Sequence, residues 1–210
     1  MEVVVPTSIY HITHADNLRS IAELGLLCDS EVALGTPFHS IAHNEIKQIR
    51  AETEVPCEPG GTLDEYVPFY FAPRSPMLYT INKGNVASVT DGQKQIVHLV
   101  LSADDLMDEQ ECVFTNGHAI MDLSDFFTDL TDLTELDWAA VNSQKWGHYY
   151  DPTDETKRKK QSEFLAKTAV AWEHVQSIGV PSDACAERVL ALLAGCAHIP
   201  PVEIHKDWYY

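Results

Sequence analysis

Three prolines set into an aromatic run constrain this chain more than any other feature. Tyr66-Val-Pro-Phe-Tyr-Phe71 has the aromatic and β-branched make-up of a strand, yet Pro68 cannot donate a ladder hydrogen bond. That places the strand at an edge or a bulge. Pro73 and Pro76 then bracket Arg74 and stiffen the backbone into a sharp turn. Such a turn can set Arg74, Met77 and Tyr79 around a flat ring, where stacking contributes about 1–3 kcal/mol per base. An aromatic core strand ending in a proline turn accounts for Phe69 and Phe71 equally well, but leaves Arg74 unexplained.

The flanking sequence alternates short strands with helices. Ser8–Ile12 reads as a strand and His14–Leu24 as a helix, started by Thr13 and Asp16 in a capping-box-like pair and stopped by Gly25. A second helix is predicted over Ile41–Glu52, with Arg50 near its C-terminal end. Ile96–Leu101 is a buried strand by its β-branched content. Phe164–Trp172 and Val202–His205 are later strands, with a helix over Ser182–Ala194 between them. His118–Gln161 lacks clean periodicity, and a long irregular segment in a compact domain is usually functional. No repeat or linker divides the 210 residues, so 1–210 is read as one α+β domain with a central, largely antiparallel sheet.

Composition excludes several classes. The apolar run Val189–Cys196 is far short of the roughly 20 residues that span a bilayer, and Met1–Pro6 lacks a signal-peptide layout. Five scattered cysteines without a CxxC pair fit free thiols in a reducing cytoplasm, and neither a disulfide framework nor a zinc knuckle. A net charge of −18 counts against a nucleic-acid partner at long range. Its distribution softens that. Asp104–Asp137 holds no Lys or Arg and can serve a partner protein, whereas Lys157, Arg158, Lys159 and Lys160 stand together before Glu163. That strip suits phosphates, Lys159 and Lys160 above all; a solvated loop is the plainer alternative.

Two further places can carry chemistry. In Tyr10-His-Ile-Thr13, His11 can offer a ring nitrogen to a ribose and Thr13 a hydroxyl, unless Thr13 is only a helix cap and His11 a satisfied strand residue. His11 and His14 lack the spacing and carboxylate partner of a zinc site, so no metal is expected. Glu163 heads the apolar stretch Phe164-Leu-Ala, and a carboxylate on a strand beside a cleft can stabilise a sugar cation.

Together these segments resemble the DarT family, bacterial toxins that ADP-ribosylate a base of single-stranded DNA using NAD. The matches are Tyr10–His14 with Asn17, Arg50, Val67–Tyr79, Thr115–Ala119, Leu136–Trp138 and Arg158–Leu165. The resemblance implies an ADP-ribosyltransferase fold, a split and largely antiparallel sheet around an NAD cleft with flanking helices. His11, Ile12 and Thr13 would hold the nicotinamide and its ribose, with Ser20 and Cys28 lining the same pocket. Residues 33–50 would close over NAD, and His118–Lys160 would recognise the substrate on the way to catalytic Glu163. The family also gives Arg50 a part in removing the proton of the base nitrogen. A guanidinium is a poor base, so Arg50 is better suited to orienting the base carbonyl or the pyrophosphate, with Glu163 or His118 accepting the proton. Where a basic pair is expected, Arg50 is followed by Ala51. Thymidine is the acceptor implied, with guanosine, RNA or a protein, or a silent nucleotide-binding module, as alternatives. A macrodomain (DarG-like) antitoxin is the implied partner, and no membrane is involved.

Overall fold

The computed structural model describes residues 6–146 and 153–210. In chain order its first half comprises β1 (Ser8–His14), α1 (Leu18–Leu24), β2 (Leu26–Leu27), α2 (Asp29–Val32), α3 (Asn44–Glu52), β3 (Tyr66–Tyr70), α4 (Pro76–Asn82), β4 (Ile96–Ser102) and α5 (Ala103–Glu109). The second half comprises β5 (Cys112–Thr115), β6 (Phe126–Phe127), α6 (Trp138–Asn142), α7 (Thr156–Lys159), β7 (Glu163–Lys167), β8 (Ala169–Val170), β9 (Ser177–Val180), α8 (Asp183–Leu192) and β10 (Val202–Ile204). Eight strands form one sheet in the order β10-β9-β4-β1-β3-β7-β5-β6, antiparallel throughout except between β10 and β9, and β2 pairs with β8 separately. This is the α+β class and the largely antiparallel sheet that the sequence indicated.

The sheet splits at its centre. β1 pairs with β4 through seven registered residues and β3 with β7 through five, but β1 meets β3 only at Tyr10↔Tyr70. Pro68 sits at the divergence. Its strand is interior rather than an edge, and Pro68 is nonetheless exposed, because the β1 side of β3 opens there. A residue without an N–H is tolerated where the ladder has already parted. The His11 side chain fills the gap, with Nδ1 2.9 Å from the Pro68 carbonyl.

Several boundaries differ from the sequence reading, each for a local reason. Thr13 stays in β1, and the cap is His14, extended at φ −74°, ψ 139°, whose ring accepts from the Asp16 amide. A 3-10 turn over Ala15–Asn17 then leads into α1. Gly25 does end that helix, at φ 83°; a Cβ there would lie 2.7 Å from the Val170 carbonyl oxygen. The second helix starts at Asn44, because Ile41 is drawn into a cluster with Ile12 and Leu78. Phe164–Trp172 is not one strand: Thr168, at φ 66°, breaks it into β7 and β8, which lie in different sheets. Pro76, read as part of a turn, begins α4, with Ser75 capping it by accepting from the Leu78 amide at 3.1 Å. Proline suits the first helical turn, whose N–H groups have no partner in the helix. Strands β5, β6 and β9 and helix α5 had no separate expectation.

Phe69, Phe71, Phe114 and Phe164 meet edge to face in the principal core. All five cysteines are free. Beneath the Pro73 turn lies a buried polar relay. His98, on β4, has Nε2 2.9 Å from the Pro73 carbonyl and Nδ1 3.0 Å from the Tyr209 hydroxyl. Burial pushes His98 from 6.5 down to about 4, against the opposing pull of the Pro73 carbonyl. The folded protein therefore holds it neutral, and unfolding releases a stronger base. The stability this confers is complete above the ordinary histidine range and is lost as pH falls from 6.5 towards 4, by about 3 kcal/mol. Urea unfolding at pH 7 and pH 4 should show the acid loss reduced by that amount in His98→Gln; equal losses in both proteins would contradict it.

Candidate active site

Glu163 opens β7 in register with Tyr70 of β3, at the C-terminal end of that strand. Strand alternation sets it on the face of Leu165, opposite Phe164, which packs in the principal core. The side chain is buried, at 3% exposure, and both oxygens are engaged. Oε2 accepts from Arg50 at 2.8 Å, and Oε1 accepts from the Ala119 amide at 3.0 Å. His118 Nε2 stands 3.9 Å from Oε1. Arg50, in the last turn of α3, is 7% exposed and also donates to the Leu63 carbonyl at 3.4 Å.

The Thr115–Ala119 segment builds the other wall. Thr115 Oγ1 accepts from the Glu163 amide at 3.1 Å and donates to the Gly117 carbonyl at 2.6 Å. Gly117 lets Arg158 and Ser124 pack close to the turn: a Cβ there would lie 2.3 Å from an Arg158 guanidinium nitrogen and 2.7 Å from Ser124 Oγ, so both side chains would have to move. The tight turn brings the His118 ring and the Ala119 amide to one carboxylate.

Burial works to raise the carboxyl of Glu163, but the charge of Arg50, the His118 ring and the Ala119 amide outweigh it and hold the group below its ordinary range. It is a buried anion at neutral pH. His118 is lowered by burial and by the Arg50 and Lys157 charges, with Glu163 opposing, so its imidazole is neutral there. Burial likewise lowers His11. Since a carbonyl can only accept, His11 Nδ1 carries the proton given to Pro68 and Nε2 is left as an acceptor. Tyr70 is raised by burial and by the negative charge of Glu163, and its hydroxyl donates to Met77 Sδ at 3.7 Å.

These groups face one cavity of about 210 Å³. The residues expected to hold NAD largely converge there: His11, Ile12, Thr13 and Ser20 line it together with Arg50, His118 and Glu163. Cys28 does not; it is 1% exposed and packs in the core, so its expected place on the pocket wall is corrected. The segment expected to close the cleft contributes Phe38, His39, Ile41 and Lys47. Asn17, a matched residue given no role, fastens that segment. Its amide donates to Thr13 Oγ1 and to the His39 carbonyl, both at 3.0 Å, while its oxygen accepts from the His39 amide at 2.7 Å. Its place four residues after Thr13 was the available signal. Tyr70 was hidden inside the aromatic run.

The residues expected on the acceptor side divide. Met77 lines the cavity, whereas Arg74 and Tyr79 lie outside it beside Tyr210. Lys159 pairs with Asp137 at 3.2 Å. Lys160 is 4% exposed and donates to the Val141 carbonyl at 2.8 Å, so its ammonium is committed internally and is not a phosphate contact. Burial, with the neighbouring Arg74 charge, lowers it to about 8. The recognition segment 118–160 includes residues 147–152, which lie outside the described residues. Among the described residues, His14, Asp16 and His39 could together approach a cation, with ligand atoms within 4.8 Å of one another. There, however, His14 Nδ1 accepts from the Asp16 amide and Asp16 pairs with Arg188. No helix among the described residues is long and apolar enough to cross a membrane.

The chain is similar to known proteins over nearly its whole length. A family model described as the ssDNA thymidine ADP-ribosyltransferase DarT matches residues 10–210. A DNA ADP-ribosyl transferase of Thermus sp. (strain 2.9) is 42% identical over 208 residues, covering 98% of this chain and 97% of that protein. The structure of Thermus sp. 2.9 DarT in complex with ADP-ribosylated ssDNA superposes with a TM-score of 0.91 at 42% identity, covering 98% and 97% of the two chains. Its complex with NAD+ gives 0.83 at 41% identity, covering 98% of both. A DNA ADP-ribosyl transferase–DNA ADP-ribosyl glycohydrolase fusion protein of Thermosipho africanus is 24% identical over 173 residues, 82% of this chain and 42% of that protein.

Removing one member of a buried ion pair strands the other. Arg50→Met should therefore cost about 3–5 kcal/mol of unfolding free energy at pH 7.5. The deficit should shrink on acidification, as the stranded carboxyl, now raised by burial, takes up a proton. Urea titrations at pH 7.5 and pH 5 read both; a deficit below about 1 kcal/mol, or one independent of pH, would contradict the pair's role.

Proposed function

The chain belongs to the DarT family and is an NAD-dependent DNA ADP-ribosyltransferase, and from that premise we propose that its acceptor is a thymidine base in single-stranded DNA. The biological role we assign is that of a cytoplasmic toxin in a toxin–antitoxin or phage-defence pair, blocking replication. A macrodomain antitoxin with glycohydrolase activity would remove the mark, and the Thermosipho africanus fusion supports that pairing.

The observation that carries the reading is the buried Arg50–Glu163 pair, 2.8 Å apart, in a cavity also lined by His11 and Thr13. NAD supplies a ribose–nicotinamide bond whose cleavage develops positive charge on the sugar. The donor set fits such a substrate: His11 offers a ring acceptor, Thr13 and Ser20 offer hydroxyls, and Glu163 offers an anion. A fixed anion in a water-poor site lowers the energy of a developing cation more than water does. Arg50 keeps that carboxylate ionised before the substrate arrives, and the guanidinium N–H groups not spent on Glu163 and the Leu63 carbonyl can orient a carbonyl or pyrophosphate. It is not a base. The base nitrogen forms the new bond to the sugar carbon, nicotinamide leaves with the electron pair of the old one, and the base proton passes to the Glu163–His118 pair. His118, neutral and 3.9 Å from Glu163, suits that role. Met77 and the Arg74–Tyr79 turn form the acceptor side. The residues reach the site from β1, α3, β7 and the loop after β5, which supports reading the chain as one domain.

A second reading keeps the DNA chemistry and takes guanosine in place of thymidine as the acceptor. Incubation with NAD and short oligonucleotides, read by mass spectrometry, separates the two. Thymidine-containing single strands should gain one ADP-ribose with the intact protein and none with Glu163→Ala. NAD consumption with unmodified thymidine strands would overturn the acceptor and favour the second reading.

A further inference from the structure

Between α2 and α3, residues 33–43 wall one side of the reaction cavity without a helix or strand of their own. Backbone there has no ladder to hold it, and Asn17 supplies the missing partner. Its carboxamide engages both backbone groups of His39: Oδ1 accepts from the His39 N–H at 2.7 Å, and Nδ2 donates to the His39 carbonyl at 3.0 Å. A peptide N–H can only donate, so the orientation of the Asn17 amide is fixed. Its second Nδ2 hydrogen goes to Thr13 Oγ1 at 3.0 Å. The side chain is buried at 5% exposure, and the His39 ring stacks on His14, with centroids 4.9 Å apart.

That arrangement sets the hydrogen-bonding sense of the pocket. Because Thr13 Oγ1 accepts from Asn17, its own hydroxyl proton remains for an acceptor in the cavity it lines. Ser20 is turned the other way. Its hydroxyl donates to the Asn17 carbonyl at 2.9 Å, which leaves only its lone pairs to the cavity. Ser40 follows the gripped His39, lines the same cavity, and has Oγ buried without a hydrogen-bond partner among the described residues. On its other side, Ile41 packs with Ile12 and Leu78. Ser40 is therefore pinned from both neighbours with an unpaired hydroxyl, an arrangement that costs stability unless something in the cavity completes it.

We propose that Asn17 is a positioning residue of the NAD site: it latches residues 33–43 to β1, reserves the Thr13 proton for an acceptor on NAD and holds Ser40 Oγ where the dinucleotide pairs it. Both Asn17 side-chain hydrogens are spent on the protein, so it acts through Thr13 and Ser40. NAD has the matching groups, with carbonyl and phosphate oxygens to accept, and hydroxyls and a carboxamide to donate towards Ser20 and His11. The inference goes beyond the acceptor reading and needs only NAD as co-substrate.

Calorimetric titration with NAD and urea unfolding test it together. Asn17→Asp keeps the acceptor for the His39 N–H and removes both donors. It should raise the Kd for NAD roughly 10-fold or more. Asn17→Ser, which loses reach without adding charge, should weaken NAD similarly and guards against unfolding of the aspartate variant. A general loss of folded protein lowers the binding stoichiometry and leaves Kd unchanged. Ser40→Ala should raise Kd about 3- to 10-fold, with a urea midpoint at or above that of the intact protein, since an unpaired buried hydroxyl is removed. The Asn17→Ser/Ser40→Ala double variant should lose less than the product of the two single effects. Asn17 variants that bind NAD normally, or effects that multiply in full, would overturn the positioning role. Ser40→Ala with an unchanged Kd or a lowered urea midpoint would overturn the Ser40 assignment. Weakened NAD binding in these variants, beside thymidine strands left unmodified by the intact protein, would leave the latch standing and overturn the acceptor reading instead.

Discussion

A carboxylate taken out of water must either accept a proton or find a fixed positive partner, and the architecture around Glu163 supplies the partner. Arg50 is delivered from the last turn of α3, the Ala119 amide from the loop after β5, and the carboxylate itself from the first residue of β7. None of these elements can shift without leaving an uncompensated charge at 3% exposure. Such a pair adds little net stability compared with apolar packing. What it maintains is an anion in a site poor in water, ready before the substrate arrives.

The split between β1 and β3 gives that anion something to face. A continuous ladder would have closed the cleft; instead one registered pair joins the two half-sheets, and Pro68 lies where they part. His11 then spends its Nδ1 proton on the Pro68 carbonyl and keeps Nε2 as an acceptor. The same proline that constrained the sequence reading therefore shapes the pocket. Further along the run, Pro76 starts α4 and Ser75 caps it, so the aromatic strand leads directly into the helix that carries Met77 to the cavity wall.

Much of the site was legible because its members fall in short, chemically specific runs. Glu163 follows its basic strip, His118 sits in the Thr115–Ala119 turn and Arg50 ends a helix, and the structure brings all three to one cavity. Local signals misled where tertiary burial decides the outcome. Cys28 and Lys160 follow plausible elements but are turned inward, one into the core and one onto the Val141 carbonyl. Thr13 followed by Asp16 imitates a capping pair, yet His14 provides the cap and Thr13 stays in the strand. Tyr79, Trp146 and Tyr210, whose rings meet edge to face, had no shared sequence signature, since only the tertiary fold brings them together. Charge behaved similarly. The total of −18 conceals a local gathering of cations, Arg74, Lys83 and the buried Lys160, each over an aromatic ring.

The central claim is that the buried Glu163 anion acts on the developing charge of the sugar and contributes little to binding of the ground state. Single-turnover measurement of NAD cleavage in Glu163→Gln, alongside calorimetric titration of NAD, tests it most directly. The account predicts a rate constant at least roughly 100-fold lower with NAD affinity changed by less than about threefold. A variant that cleaves NAD at nearly the original rate, or whose whole defect is weaker NAD binding, would contradict it.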